Sequence, residues 1–152
     1  MRTKTNYSTG TESLHKLLEL GFDTEASYEE LKSNAPNLEL IGWLEKKQEL
    51  TTDFILKILT LLQSRDISPK SSYTTKGKLC KIWLDVKLRF LKFDSDLIIR
   101  ECHKIDDLML NILSKEIESR MISNEIHHIY FNYKNKLTSL IKPHESQELL
   151  IG

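Results

Sequence analysis

Pro36 interrupts the first half of the chain between two long segments that contain few other helix breakers. Apolar residues recur three and four positions apart from Thr11 to about Asn34, and again from about Asn37 to Arg65. This spacing is typical of amphipathic helices, and a proline disfavours helical geometry in the residue before it. Because two helices joined by so short a connection run antiparallel, the sequence predicts a helical hairpin.

Three more helices are predicted after a polar segment, residues 66–75, which we expect to form a loop. No stretch alternates apolar and polar residues as a half-buried strand does, so the predicted fold class is all-α. The third predicted helix has an amphipathic face that we expect to pack across the others through Trp83, Val86 and Phe90. The bounds of these helices are about residues 76–91, then from a cap at Asp94 or Ser95 to about Ser119, then about Ser123 to Lys142.

Composition limits the classes of function that fit this chain. Lys plus Arg and Asp plus Glu both number 22, and this net charge of zero does not favour binding to nucleic acid, which needs a basic face. No apolar run is long enough to span a membrane, and the N-terminus lacks the apolar core of a secretory signal. Two cysteines, Cys80 and Cys102, are too few for a disulfide framework, which favours reduced thiols and a cytoplasmic location. We expect one domain over residues 11–143, with flexible ends at 1–10 and 144–152.

One polar residue interrupts the apolar stripe near the middle of three predicted helices: Glu25, Gln48 and Glu101. Burying an unpaired carboxylate is costly, so these groups need hydrogen-bond partners at the same depth. The sequence therefore predicts a polar layer in the core, and a weak cation site between Glu25 and Glu101 is the functional alternative. The predicted layer consists of Glu25, Tyr28, Gln48, Glu101, Tyr130 and Tyr133.

The string "IIRECHKIDD", residues 98–107, contains three adjacent side chains that are able to bind metal: Glu101, Cys102 and His103. On a helical wheel only Glu101 lies inside the apolar stripe, whereas His103 points to the other side of the helix. Cys102 borders the stripe and is interpreted as a small buried apolar residue. The three therefore do not form a joint site.

Two other features of the second predicted helix concern its surface. The run "EKKQE", residues 45–49, is interpreted as ordinary solvated helix surface. Trp43, Leu50 and Leu61 lie away from the main apolar stripe, on the same side as Phe54. We expect that side to be covered by the third predicted helix or to form a dimer face.

The string "SLHKLLELGFDTEASYEEL" resembles the opening helix of a bacterial ferritin-like four-helix-bundle family of unknown function (domain-of-unknown-function family 2383). That family has Asp-Gly-Glu and then an aromatic residue, and the counterparts here are Asp23, Thr24, Glu25 and Tyr28. The chain departs from the family in having Thr24 where glycine is usual.

Two later motifs also match this family, and the resemblance extends from about residue 13 to 142. "WLDVK" (83–87) is similar to its Trp-Xaa-Asp-Xaa-Lys helix, and "ECHKIDD" (101–107) to its Glu-Cys-Glu-Xaa-Xaa-Glu-Asp, with His103 and Asp106 replacing acids. The resemblance implies a ferritin-like antiparallel four-helix bundle whose third predicted helix lies in a long crossover. It implies no established reaction.

A ferritin-type di-iron centre needs Glu from each of two helices and Glu-Xaa-Xaa-His from each of the other two. Glu25 and Glu101 are able to supply the single carboxylates, but the second predicted helix has Glu45-Lys-Lys-Gln48 in place of the pair. The fifth contains Glu125-Ile-His-His128, which the wheel directs away from Ile126, Tyr130, Tyr133 and Leu137. The ligand set is therefore incomplete.

No nucleophile–base pair, phosphate loop or zinc spacing stands out, so no catalytic residue and no cofactor are predicted. We expect a non-enzymatic bundle that acts through interaction or oligomerisation, as a homodimer or higher oligomer, in a stress-associated or structural role. The alternative is a metal-binding ferritin-like protein with a degenerate carboxylate site that binds iron or manganese.

Overall fold

The computed structural model describes the backbone of residues 2–68 and 94–143, and the side chains from residue 10 onward in these ranges. These ranges contain four helices and no strand, which confirms the all-α prediction for the described part of the chain. The third predicted helix, with Trp83, and the C-terminal tail at 144–152 lie outside the described residues. The helices are α1 (Arg2–Ser33), α2 (Leu38–Ser64), α3 (Ser95–Glu118) and α4 (Asn124–Ser139).

Side-chain caps fix where three of the helices begin. Asn37 accepts a hydrogen bond from the backbone N–H of Leu40 at 3.0 Å, and Asp94 and Ser123 cap α3 and α4 in the same way. Such a cap satisfies one of the backbone donors that an N-terminus leaves without a partner. The helix α1 begins at Arg2, earlier than the start near Thr11 that the sequence indicates.

The four helices form a closed ring in which each one packs against two others. Helix α1 contacts α2 and α3, and α4 contacts the same two helices from the opposite side. Lys16 lies beside Glu116, whereas Tyr28, further along α1, contacts Asp106, so α1 and α3 run antiparallel. The ring places all four apolar faces against one shared core, as expected for a bundle of amphipathic helices.

The end of α2 and the start of α3 lie at opposite ends of the bundle. At the end of α2, Arg65 Nη2 donates to Ser123 Oγ at 3.2 Å, next to the start of α4. At the other end, Asn37 Nδ2 donates to Ser95 Oγ at 3.3 Å, so α3 begins beside the start of α2. Helices α2 and α3 are therefore parallel, and the end of α2 is separated from the start of α3 by the roughly 40 Å length of α2.

One set of buried positions in α1 and in α2 recurs in alternating steps of four and three residues, and further buried residues such as Leu18, Ile55 and Leu62 flank it. This is a repeat of 3.5 residues, the spacing at which helices of a bundle keep one seam facing their neighbours. The seam residues are Gly10, Leu14, Leu17, Gly21, Thr24, Tyr28 and Leu31 in α1, and Leu40, Leu44, Lys47, Thr51, Phe54, Ile58 and Leu61 in α2. Within the described residues, no helix is long and apolar enough to cross a membrane.

Candidate functional site

A layer of buried polar side chains divides the core into two apolar clusters. The larger cluster surrounds Phe54, Met109 and Tyr130, and the smaller one surrounds Leu44 and Ile98. The layer between them comes from three helices and consists of Thr24, Lys47, Thr51 and Asp106. Lysine and aspartate are among the residues least often fully buried in proteins, and they are then usually paired. This layer is therefore the most unusual feature of the described core, and we take it as the candidate functional site.

Lys47 and Asp106 form an ion pair at the centre of the bundle. Lys47 Nζ donates to Asp106 Oδ2, and the two side chains are 0% and 1% exposed. Tyr28 Oη donates to the other carboxylate oxygen, Oδ1, at 2.5 Å. Both oxygens of Asp106 therefore have a donor within the protein, which offsets part of the cost of removing the carboxylate from water.

The Lys47 ammonium also lies against two aromatic rings. Its Nζ is 4.3 Å from the centroid of the Trp43 ring and 5.9 Å from that of the Tyr28 ring. A cation over an aromatic face is attracted by the ring quadrupole, most strongly by tryptophan and most strongly where water is excluded. The ammonium is thus surrounded by one carboxylate and two aromatic faces.

Burial keeps the nearby phenol and thiol groups protonated. Burial, followed by the influence of Tyr133 and Asp106, raises the pKa of Tyr28 well above its usual value of 10.0. Burial also raises the pKa of Cys102, and the Lys47 ammonium opposes this effect. The Cys102 Sγ lies 3.9 Å from Asp106 Oδ2, whose negative charge raises the pKa of the thiol further. A neutral thiol is neither a good nucleophile nor a good metal ligand, which agrees with the apolar role predicted for Cys102.

Two further buried hydrogen bonds join α4 to the neighbouring helices. Tyr133 Oη shares a hydrogen bond with Thr51 Oγ1 at 2.7 Å, and Tyr130 Oη shares one with Ser13 Oγ at 2.9 Å. Burial is the main cause of the raised pKa of both phenols. These hydrogen bonds satisfy hydroxyls that would otherwise be desolvated without a partner.

The structure places four of the six predicted layer residues in the interior. Tyr28, Tyr130 and Tyr133 are buried, and Glu101 is 7% exposed. Lys104 Nζ donates to Glu101 Oε1 at 3.2 Å, one turn further along α3. Glu101 is therefore buried and hydrogen-bonded, with a flanking lysine as one of its partners.

The other two predicted layer residues lie at the α1–α2 surface. Glu25 is half-buried and accepts a hydrogen bond from Thr52 at 3.2 Å. Gln48 is also half-buried, accepting from Lys32 at 3.0 Å and donating to Glu29 at 2.7 Å. Neither side chain contributes to the layer between the two apolar clusters, which corrects their predicted place.

The difference arises from the repeat that each helix follows. A straight helix drifts about 20° per heptad relative to a 3.5-residue seam, so a wheel drawn at 100° per residue misplaces positions along a helix as long as α2. The buried seam contains Thr24 and Lys47. The helical wheel instead places the next residue in each helix, Glu25 and Gln48, in the core. The interpretation of residues 45–49 as solvated surface is accordingly wrong for Lys47.

The apolar side chains assigned to a separate face of α2 are part of the core of the described residues, and the third predicted helix, one of the two covers expected for them, lies outside those residues. Trp43, Phe54 and Leu61 are buried, and Leu50 is half-buried against the larger cluster. Trp43 Nε1 also donates to the backbone carbonyl of Leu140 at 2.7 Å. The buried stripe of α2 is therefore wider than predicted, because α2 packs against both α1 and α4.

The possible metal ligands of the described residues do not converge. Glu125 and His128 are exposed on α4, opposite its buried residues, as the wheel predicts. His103 Nε2 lies 3.1 Å from the carbonyl oxygen of Ile141 and outside the polar layer. Within residues 2–68 and 94–143, no group of three His, Cys, Asp or Glu side chains is arranged to hold a metal ion.

Comparison with known proteins matches most of the chain to a protein family. The family model described as "Domain of unknown function (DUF2383)" matches residues 10–119, which include α1, α2 and α3. No curated protein and no solved structure matches the chain.

Proposed function

The chain belongs to the DUF2383 family, and from this premise we propose that it is a ferritin-like helical bundle without a catalytic centre. The course of the chain supports the ferritin-like assignment. Helices α1 and α2 form one antiparallel hairpin, α3 and α4 form another, and the first hairpin ends at the opposite end of the bundle from where the second begins. One long crossover between two hairpins is characteristic of ferritin-like folds.

The occupied Asp106 carboxylate is the observation that carries the non-enzymatic proposal. A ferritin-type centre uses carboxylates that face the middle of the bundle and remain available to a metal ion. Here Asp106 accepts from the Lys47 ammonium and the Tyr28 hydroxyl, so its charge is balanced within the protein. This arrangement supports a structural role, in which the layer fixes how the two hairpins pack together.

The proposed activity is interaction, either with another protein or with further copies of the chain, in a structural or stress-associated role in the cytoplasm. Large apolar side chains on the outside of the bundle support this proposal, because they are the groups that a partner surface is able to bury. These side chains are Leu38, Leu56, Leu108, Met121 and Phe131.

The alternative function is metal binding at a degenerate carboxylate site that includes Glu101, whose expected partner Glu25 lies at the α1–α2 surface beside Thr52. The burial of Glu101 favours this alternative, since a cation is one way to stabilise a buried carboxylate. Two carboxylates hold a divalent ion weakly, so they would not retain a pair of irons through purification.

Metal analysis of protein purified without a metal-affinity column separates the two functions. We expect much less than one iron per chain, no ferroxidase activity, and little rise in the Tm with Fe(II) or Mn(II). Analytical ultracentrifugation of the same preparation measures self-association, and crosslinking to partners in cells tests the remaining form of interaction. Two irons per chain that are lost together in Glu101→Ala would overturn the non-enzymatic proposal.

A further inference from the structure

Three different groups surround the Lys47 ammonium, and each of them attracts an organic cation. Asp106 supplies a full negative charge through Oδ2, and the rings of Trp43 and Tyr28 supply π faces at 4.3 and 5.9 Å. Aromatic rings arranged around a cation are the means by which proteins recognise choline and methylated lysine. Lys47 is fully buried, so water does not compete for these contacts.

The surrounding groups are held in place by contacts that do not involve Lys47. Tyr28 Oη holds Asp106 Oδ1 at 2.5 Å, and the Trp43 indole N–H is fixed by the carbonyl of Leu140 at 2.7 Å. The carboxylate and the indole therefore stay oriented toward the same point when the lysine side chain is shortened. A site whose groups are already in position loses little entropy when a ligand binds.

We propose that this cluster is a receptor site for a primary alkylammonium ion, with the Lys47 side chain as its built-in ligand. Truncation of Lys47 to alanine removes three methylenes and the amino nitrogen, which together match n-propylammonium in size and charge. One carboxylate and a neutral thiol, that of Cys102, are a poor ligand set for a divalent metal. The site selects a singly charged organic cation, and the tethered lysine excludes free amines from the native protein.

The test is chemical rescue of Lys47→Ala, followed by thermal unfolding with increasing n-propylammonium chloride. We expect a Tm that rises with concentration, as for any ligand that binds only the folded state. Sodium chloride at the same ionic strength, the neutral analogue 1-propanol and Mn(II) should each have little effect. The exposed neighbour Lys46 provides the matched control, so Lys46→Ala should show no rise with n-propylammonium beyond that of the wild type.

Two changes in the surrounding groups, made in the Lys47→Ala background, test the assignment of the site. Asp106→Asn should abolish the n-propylammonium effect, and Trp43→Leu should reduce it several-fold in apparent affinity. A Tm of Lys47→Ala that rises no more than that of Lys46→Ala would overturn the proposal. A larger rise with Mn(II) than with n-propylammonium would overturn it as well.

A measurement on the wild type covers the case in which Lys47→Ala does not fold. NMR of the lysine side-chain ¹⁵N–H groups should show one ammonium that exchanges slowly with water and is shielded by the Trp43 ring. That signal should lose its shielding in Trp43→Leu. Absence of a slowly exchanging, shielded ammonium from the folded wild type would overturn the proposal whatever the variant does.

Discussion

Removal of the positive charge at the centre of the bundle should be among the most destabilising single changes in this chain. In Lys47→Met the side chain keeps much of its volume, but Asp106 retains its negative charge in an environment that is 1% exposed. Breaking a buried pair by removing one partner costs about 3–5 kcal/mol, because the remaining charge lacks compensation. Tyr28 still donates to Oδ1, which makes the lower half of this range the better expectation.

The loss should be measurable both by urea denaturation and by thermal unfolding. For a domain of this size, each kcal/mol shifts the Tm by about 2–4 °C, so a loss of about 3–4 kcal/mol corresponds to a Tm lower by roughly 6–16 °C. Lys46→Met removes the same charge from an exposed position one residue earlier and should change the free energy of unfolding by less than about 0.5 kcal/mol.

A matched apolar replacement separates the cost of a stranded charge from the value of the pair. The triple variant Lys47→Met, Asp106→Leu, Tyr28→Phe removes the ammonium, the carboxylate and the hydroxyl together, so no polar group is left without a partner. Its stability should equal or exceed that of the wild type, because well-packed apolar residues often replace a buried pair without loss. If Lys47→Met lowered the free energy of unfolding by less than about 1 kcal/mol, the pair would have to be accessible to water, and the reasoning would be refuted.

Three further variants and one pH dependence follow from the same structure. Gly21→Ala should lower the free energy of unfolding by about 1–3 kcal/mol, because a Cβ at this position would lie 2.9 Å from Ile55 Cγ1. Gly42→Ala, where a Cβ meets no atom within 4 Å, should raise the free energy of unfolding by about 0.5–1 kcal/mol. Urea denaturation of both variants measures these changes. Arg120 has a φ of 57°, so Arg120→Gly should raise the Tm slightly, by relief of about 1 kcal/mol of strain. The raised pKa values of Cys102, Tyr28, Tyr130 and Tyr133 mean that the unfolded chain releases these protons at lower pH than the folded chain. Their contribution to stability is therefore complete below the ordinary pKa values and is lost as pH rises above about 9–10, by up to about 1.4 kcal/mol per pH unit per group. Absorbance at 295 nm during an alkaline titration should show these tyrosines ionising only as the protein unfolds, and a gradual ionisation of all of them near pH 10 in folded protein would contradict their burial.

The sequence by itself determines where most of the described helices lie, because their ends are set by neighbouring residues. Pro36 and the caps at Asn37, Asp94 and Ser123 place the starts of α2, α3 and α4 within a residue or two of the predicted positions. Capping and proline effects involve groups only a few positions apart, so they are visible in the string. The burial of Glu101, and of the three tyrosines, also follows from local periodicity.

The pairing at the centre was decided by tertiary structure alone. Locally, Lys46, Lys47 and Gln48 are similar polar residues in one polar run, and only the seam formed with α1 and α4 selects which of them is buried. That seam follows a repeat of 3.5 residues because the helices pack against one another, whereas an isolated helix has 3.6. Asp106 is 59 positions from Lys47 in the chain and on another helix. No local pattern links two such residues, and it is the packing of the four helices around one core that brings the ammonium and the carboxylate to the same depth.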